Sequence, residues 1–198
     1  MGLTGGIGSG KSAAARVFRE SGCPTLDLDA VAAEVTAVGQ PALRDIAAEF
    51  GPGMIRPDGA LDRSALARVV FSDPEARVRL ESILHPLIRA RANEWIHDLR
   101  KQELAPAAAI LEVPLLFEAG LESEFDRIVL VTADPEVRIG RLTSTRKLSE
   151  ADARARMASQ LPDELKRARS HYVIENNGSL SDLEGKVREV IRRMKDEG

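Results

Sequence analysis

The sequence has few of the residues that form disulfides or Cys/His metal centres. Cys23 is the only cysteine, and the three histidines are His85, His97 and His171. A single cysteine excludes an internal disulfide and is typical of proteins in a reducing compartment. Cys23 is better explained as a small buried hydrophobe than as a catalytic thiol. Because the histidines lack metal-site spacing, the sequence predicts no zinc-type centre.

Long apolar runs and an excess of basic charge are also missing. The longest apolar stretch, Ile110 to Phe117, is interrupted by Glu112, so no segment can span a bilayer. There are 28 Lys and Arg against 31 Asp and Glu, a net charge of −3, which argues against a general nucleic-acid binder. Since a glycine-rich motif already occupies the N-terminus, we expect no signal peptide. We therefore expect a cytoplasmic protein without nucleic-acid or membrane partners.

The glycine-rich motif at the start of the chain is its most informative feature. Residues 5–12, GGIGSGKS, fit the P-loop pattern G-x-x-x-x-G-K-[ST]. Glycines let backbone N–H groups approach a phosphate and allow the positive φ angles that such a loop needs. Lys11 supplies a mobile charge for the β and γ phosphates, and Ser12 supplies a hydroxyl ligand for Mg²⁺. A strand pattern before the motif and a helix pattern after it favour a nucleotide-binding loop over a chance glycine-rich turn.

The rest of the chain alternates apolar strand patterns with helical patterns. Further strands are expected at 24–29, 107–113, 127–132 and 172–175. The stretch 38–101 has no convincing strand and is expected to be an all-helical insertion, in which Pro74 and Pro86 each begin a new helix. This alternation predicts a parallel sheet that binds ligands beyond the carboxyl ends of its strands.

Polar side chains follow these strands where each one ends. Asp27 and Asp29 follow the second strand, Glu112 ends the third, and Asn176 follows the fifth. Asp27 and Asp29 lie two residues apart in an extended segment, so they can face the same side. One carboxylate could orient and deprotonate an acceptor hydroxyl. Asp29 is the better candidate for a helix N-cap, which favours Asp27 as the chemical group.

Basic residues follow the fourth strand: Arg138, Arg141, Arg146 and Lys147. Arg138 and Arg141 are three residues apart and share one helix face. Guanidinium groups can bind the charge that spreads over a phosphoryl group during transfer. A solvated basic face is the alternative for any one of these arginines, but their position after a strand favours a functional role for the group.

The whole chain resembles the dephospho-CoA kinases. The matching stretches are residues 3–12, 27–29 with 31–35, 84–89, 113–118 and 174–179. The resemblance implies a three-layer α/β P-loop NTPase fold with a parallel five-stranded sheet of order 2-3-1-4-5. It implies one domain over 1–198, with a helical CoA-binding insertion at about 38–104 and a lid at about 138–163. The implied reaction transfers the γ-phosphoryl group of ATP to the ribose 3′-hydroxyl of dephospho-CoA, giving CoA and ADP.

The resemblance also implies roles for individual residues. The catalytic residues would be Asp27 as the base, Lys11 and Arg141. The ATP-binding residues would be Gly6, Gly8, Ser9, Gly10, Lys11, Ser12, Ala13, Arg146 and Asn176. The residues that bind dephospho-CoA would be Asp27, Asp29, His85, Arg89 and Glu118. Ser12 would bind the Mg²⁺ that arrives with ATP, and Glu112 would act on it through water.

Three positions depart from the family pattern. Ala13 replaces the usual threonine and offers only its backbone N–H. Glu112 replaces the usual aspartate, so it would reach a magnesium-bound water with a longer side chain. Arg146 lies five residues after Arg141, where four is the common spacing. The expected first strand begins at the first residue, so we expect the natural chain to start a few residues earlier.

Other functions stay open on the sequence. Another small-metabolite P-loop kinase would use the same Asp27 and Asp29 pair and a similar lid, although the long helical insertion suits a bulky acceptor better. A regulatory NTPase usually has Asp-Glu or Asp-Asp at the end of a hydrophobic strand, where this chain has Leu-Glu-Val-Pro at 111–114. We expect a monomer, while the sequence leaves open an oligomer and the choice between ATP and GTP.

Overall fold

The structure, a computed structural model, describes residues 1–104 and 106–197. Its strands are β1 (Gly2–Thr4), β2 (Thr25–Asp27), β3 (Ile110–Glu112), β4 (Ile128–Thr132) and β5 (Tyr172–Glu175). They form one sheet in the order β2-β3-β1-β4-β5. β1 pairs in parallel with β3 and β4, and β4 pairs in parallel with β5. The predicted five-stranded parallel sheet of order 2-3-1-4-5 is therefore confirmed.

Helices occupy most of the remaining described chain. They are α1 (Lys11–Glu20), α2 (Leu28–Val35), α3 (Pro41–Phe50), α4 (Arg63–Ser72), α5 (Pro74–Arg100), α6 (Pro135–Arg146), α7 (Glu150–Ala158), α8 (Asp163–Ala168) and α9 (Leu180–Glu197), with 3₁₀ turns at Pro52–Met54 and Glu122–Glu124. Of the helices in residues 1–104 and 106–197, none is both long and apolar enough to cross a membrane. The chain divides into two compact units, one made of Met1–Leu26 with Gln102–Gly198 and the other of Asp27–Lys101.

The first unit is built on the apolar faces of α1 and α9. In α1 the buried residues include Val17 and Phe18, and in α9 they include Leu183, Val187 and Ile191. The helical spacing of these residues produces one apolar stripe on each helix, and both stripes join a core cluster that also contains β1 and β4 residues. This packing holds α1, the helix that follows the P-loop, against the sheet.

A smaller apolar cluster joins the P-loop to the helices after β4. Ile7 packs with Ile139 and Leu142 of α6 and with Ala153 and Met157 of α7. α6 ends at Lys147, which has φ of 55°, a left-handed conformation that a non-glycine residue adopts infrequently. Ser149 is the N-cap of α7, and its hydroxyl accepts the N–H of Asp152.

The second unit, Asp27–Lys101, is helical apart from an isolated antiparallel bridge between Ile55 and Leu61. Its core contains Leu43 and Ile46 of α3. The prediction that Pro86 begins a new helix was wrong, since Pro86 lies inside α5. A proline inside a helix costs about 3 kcal/mol through the lost hydrogen bond and a steric clash. The packing of α5 against α2, α3 and α4 offsets that cost.

Candidate active site

The P-loop, residues 5–12, runs from the end of β1 into the first turn of α1. Gly8 and Gly10 have φ of 78° and 93°, which are left-handed values that glycine adopts without strain. Gly10 is the N-cap of α1 and makes no side-chain capping bond. The N–H groups of Ala13 and Ala14 both donate to the carbonyl of Gly10 over 3.0 Å, so the N–H groups of Lys11 and Ser12 at the helix start are the ones that can meet an anion. The predicted strand–loop–helix arrangement is present.

The P-loop glycines also allow protein atoms to approach closely. A Cβ added at Gly6 would lie 2.4 Å from a guanidinium nitrogen of Arg138, and one at Gly10 would lie 2.1 Å from Nδ2 of Asn176. From the sequence, these glycines were expected to let a phosphate approach the loop and to allow its positive φ angles. In the structure they are equally required by the side chains that surround the loop.

Lys11 and Glu112 form an ion pair beneath the loop. Nζ of Lys11 lies 3.3 Å from Oε2 of Glu112, and their side chains are 14% and 8% exposed. Glu112 ends β3 and lies opposite Leu3 of β1 in the parallel register. The sheet therefore places Glu112 close to the loop that follows β1, where Lys11 lies. The positive charge of Lys11 and the negative charge of Glu112 therefore lie close together near the carboxyl ends of β1 and β3.

Arg141 and Asn176 hold the other side of the P-loop. Nδ2 of Asn176, which is buried, donates to the carbonyl of Ser9 over 2.8 Å. Arg141 donates to the same carbonyl over 3.2 Å and to the carbonyl of Asn176 over 2.8 Å. Residues that follow β4 and β5 thus meet the loop that follows β1, as expected for a parallel sheet.

Arg138 is buried and bonded to protein groups. Its Nε donates to the carbonyl of Ile7 over 2.8 Å, and a terminal nitrogen lies 3.2 Å from Oδ2 of Asp163. The same carboxylate oxygen accepts the hydroxyl of Thr132 at the end of β4. Arg138 is therefore part of the support of the P-loop, whereas the sequence had grouped it with arginines that bind a phosphoryl group.

Sequence reasoning missed Gln160 and Asp163. Oε1 of Gln160 accepts the N–H of Ile7 over 2.8 Å. A glutamine after a polar helix looks like an ordinary surface residue, and nothing in its spacing indicates a partner 153 positions earlier. Asp163, at the first position of α8, likewise resembles a common helix-start residue.

The comparisons with known proteins agree with this geometry. The family model for dephospho-CoA kinase matches residues 1–182. The dephospho-CoA kinase of Moorella thermoacetica is 45% identical over 188 residues, which cover 95% of this chain and 88% of that protein. That of Anaeromyxobacter dehalogenans is 46% identical over 187 residues, which cover 94% of this chain and 88% of that protein. This chain belongs to the dephospho-CoA kinase family.

Solved structures show the same relationship. The structure titled TT1252 from Thermus thermophilus has a TM-score of 0.82 at 41% identity, covering 97% of this chain and 95% of that one. The dephospho-CoA kinase from Campylobacter jejuni has a TM-score of 0.70 at 27% identity, covering 99% and 96%. Shikimate kinase from Acinetobacter baumannii, with a TM-score of 0.52 at 17% identity and coverage of 99% and 92%, shares the fold. The resemblance read from the sequence and the predicted P-loop kinase fold are confirmed.

Asp27 and Asp29, which the dephospho-CoA kinase resemblance assigned to the acceptor, lie where β2 meets α2. The prediction that Asp29 caps the helix was wrong, because α2 begins at Leu28. Asp27 is the N-cap and accepts the N–H of Asp29 over 2.9 Å, and Asp29 lies in the first turn. Both side chains are exposed.

The other residues implied by dephospho-CoA kinase membership are spread over several elements. His85 is half-buried and Arg89 is exposed, and they lie one turn apart on α5. Arg146 is exposed at the end of α6, five positions from Arg141 and so on a different side of the helix. The roles assigned to these residues stay predictions.

Glu118 is bonded to protein groups. Its Oε1 accepts from Nζ of Lys166 over 2.6 Å and from the N–H of Leu161 over 3.1 Å. Lys166 is 1% exposed, so this carboxylate neutralises a fully buried cation. Within residues 1–104 and 106–197, the buried Oε2 of Glu118 has no hydrogen-bond partner. The predicted substrate contact of Glu118 stays a prediction.

The groups around the P-loop fit ATP with Mg²⁺. The left-handed Gly8 and Gly10 and the uncapped start of α1 provide donors for phosphate oxygens, and Lys11 provides positive charge. The exposed Ser12 hydroxyl and the carboxylate of Glu112 are oxygen ligands of the kind that Mg²⁺ prefers. Ser12 would bind the metal directly, and Glu112 would bind a water molecule of the metal.

Proposed function

We propose that this protein phosphorylates the ribose 3′-hydroxyl of dephospho-CoA with ATP, giving CoA and ADP. The observation that carries the proposal is the P-loop of this dephospho-CoA kinase family member. The ammonium group of Lys11 lies against Glu112 there, and Arg141 and Asn176 bond to the carbonyl of Ser9 in the loop. This arrangement provides both the positive charge and the oriented amides that phosphoryl transfer requires.

ATP would be bound by the loop and its surroundings. The residues concerned would be Gly6, Gly8, Ser9, Gly10, Lys11, Ser12, Ala13, Arg146 and Asn176. Bound Mg²⁺ would neutralise charge on the β and γ phosphates. Lys11 would add a further positive charge there, and Arg141 would contribute its guanidinium beside the loop. The loop backbone, held by Arg138, Arg141 and Asn176, would need little reorganisation during transfer.

The residues proposed to contact the acceptor are Asp27, Asp29, His85, Arg89 and Glu118. Asp27 would align the 3′-hydroxyl and take its proton as the oxygen bonds to the γ-phosphorus and the bond to the β-phosphate oxygen breaks. Asp29, His85 and Arg89 would contact the rest of dephospho-CoA. The long helical insertion, about 38–104, supports a large acceptor better than a small sugar or nucleoside.

The segment 138–163 would act as the lid. It contains most of α6, all of α7 and three residues that bond to the backbone of Ile7 or Ser9, namely Arg138, Arg141 and Gln160. A lid that excludes water would suppress hydrolysis of ATP before the acceptor is bound. The monomeric state and the cytoplasmic location stay predictions, and the choice between ATP and GTP stays open.

An ADP-release assay with several acceptors tests the proposal. We expect rapid ADP formation with dephospho-CoA, little with adenosine or shikimate, and a product with the mass of CoA. Turnover with a small metabolite in place of dephospho-CoA would indicate another P-loop kinase. A rate of ATP hydrolysis that is unchanged by every acceptor but increases with DNA, RNA or a protein would indicate a regulatory NTPase.

A further inference from the structure

Ile7 has both of its backbone polar groups bound by side chains from the segment after β4. Its N–H donates to Oε1 of Gln160 over 2.8 Å, and its carbonyl accepts from Nε of Arg138 over 2.8 Å. Ile7 immediately precedes Gly8, whose N–H belongs to the loop proposed to bind phosphate. The position of Ile7 is thus determined by residues more than a hundred positions away in the sequence.

These two bonds determine how the neighbouring peptide groups point. All peptide bonds of residues 1–104 and 106–197 are trans, so the C=O and N–H of one peptide group point in opposite directions. With the Ile7 carbonyl directed at Arg138, the N–H of Gly8 points away from Arg138. With the Ile7 N–H directed at Gln160, the Gly6 carbonyl faces the other way, and there it accepts the N–H of Ser9 over 3.1 Å.

Of the two side chains that hold Ile7, Arg138 is itself fixed by further bonds. Arg138 is 5% exposed and bonded to Asp163, which accepts the hydroxyl of Thr132 on β4. The absence of a side chain at Gly6 allows this approach, because a Cβ there would lie 2.4 Å from Arg138 and 3.2 Å from Oε1 of Gln160. The direction of the Gly8 amide is therefore linked through side chains to the sheet.

We propose that Gln160 and Arg138 are positioning residues for nucleotide binding. They hold the peptide groups on both sides of Ile7, and in this way they orient the Gly8 N–H toward the phosphates. The proposal rests on the proposed function in taking ATP as the ligand of the loop. Because Gln160 lies just after α7, its bond also links the P-loop to the proposed lid. A movement of the lid that breaks this bond would weaken ATP binding, and by linkage ATP binding would favour the bonded arrangement.

Gln160 is the better residue to change, because replacement of the buried Arg138 would also leave Asp163 without its cation. Gln160→Met removes the acceptor oxygen and keeps the length of the side chain, whereas Gln160→Glu keeps an oxygen at that position. Gln102→Met is a matched control at an exposed glutamine. For each variant we would measure exchange of the Ile7 amide by NMR without nucleotide, ATP and ADP affinity by calorimetry, and the melting temperature.

We expect Gln160→Met to expose the Ile7 amide to exchange and to weaken ATP binding by about 3- to 10-fold, the loss of one ordinary hydrogen bond. The KM for ATP should rise, while kcat at saturating ATP and the KM for dephospho-CoA stay near wild type. Gln160→Glu should restore protection of the Ile7 amide, and Gln102→Met should match the wild type in Ile7 exchange and in ATP and ADP affinity.

Unchanged Ile7 exchange and ATP affinity in Gln160→Met would overturn the inference. So would a lower melting temperature without any loss of ATP affinity, since that result indicates a purely structural role. If the wild-type protein bound no adenine nucleotide, the proposed function would fail. Failure of the inference alone would instead appear as normal nucleotide binding in both the wild type and Gln160→Met.

Discussion

The ammonium group of Lys11 lies 3.3 Å from a carboxylate oxygen of Glu112, where the P-loop helix begins and β3 ends. Both side chains are largely buried, so each charge depends on the other for compensation. Such a pair holds the ammonium group of Lys11 close to the loop. It also means that changes at either residue affect stability as well as activity, and the two effects can be separated by experiment.

Lys11→Ala should reduce turnover by roughly 10²- to 10³-fold, because one preorganised electrostatic group typically supplies that much. It should also lower the melting temperature, since Glu112 loses its cation. The double variant Lys11→Ala/Glu112→Gln should recover melting temperature without recovering turnover. Retention of more than about a tenth of the wild-type kcat by Lys11→Ala would remove Lys11 from the mechanism.

Asp27→Asn should lower dephospho-CoA phosphorylation by at least ~10²-fold, because an amide cannot accept the proton of the hydroxyl. Asparagine is as good an N-cap as aspartate, so the melting temperature should stay near wild type, whereas Asp27→Ala should cost about 1 kcal/mol of stability. ATP affinity should change little in Asp27→Asn. Asp29→Asn is the matched control, and a larger loss of kcat there would show that the base is Asp29.

Binding of a non-hydrolysable ATP analogue should slow hydrogen exchange between about residues 138 and 160, beyond any protection in the P-loop. The reason is that Arg138, Arg141 and Gln160 bond directly to P-loop backbone groups, so ordering of the loop should order the segment. Exchange measured by mass spectrometry with and without the analogue checks this. Protection confined to the P-loop would contradict the lid assignment.

Glu118→Gln should destabilise the protein by about 3–5 kcal/mol, because it leaves the buried Lys166 without an opposite charge. The amide oxygen can still accept the N–H of Leu161, so the loss is mainly electrostatic. Chemical denaturation gives the free energy of unfolding, and Glu118→Gln/Lys166→Met should recover much of it. A KM for dephospho-CoA that rises in both variants would support the predicted substrate contact, and an unchanged KM would count against it.

The sequence was sufficient for features that depend on local chemistry. A phosphate loop needs small residues and a lysine at fixed spacing, so residues 5–12 identify it without coordinates. The strand before this loop and the helix after it are equally local, because each depends on the pattern of adjacent residues. The ordered motifs along the chain were enough to indicate the family.

Some local predictions failed where packing or a small shift in a boundary decided the outcome. Pro86 was expected to start a helix, but contacts of α5 with three other helices keep it inside one. Asp29 was expected to cap α2, but the helix begins earlier and Asp27 caps it. Helix boundaries are set by the surrounding fold as well as by residue preference.

Only the tertiary structure identified the partners of residues that are distant in sequence. Lys11 and Glu112 are 101 positions apart, and Ile7 and Gln160 are 153 positions apart. No pattern of spacing indicates such pairs, because the parallel sheet and the helices packed on it bring them together. The sequence was enough to predict a phosphate-binding loop at residues 5–12. The fold decided that Arg138 supports that loop, and that Gly6 is small because Arg138 lies against it.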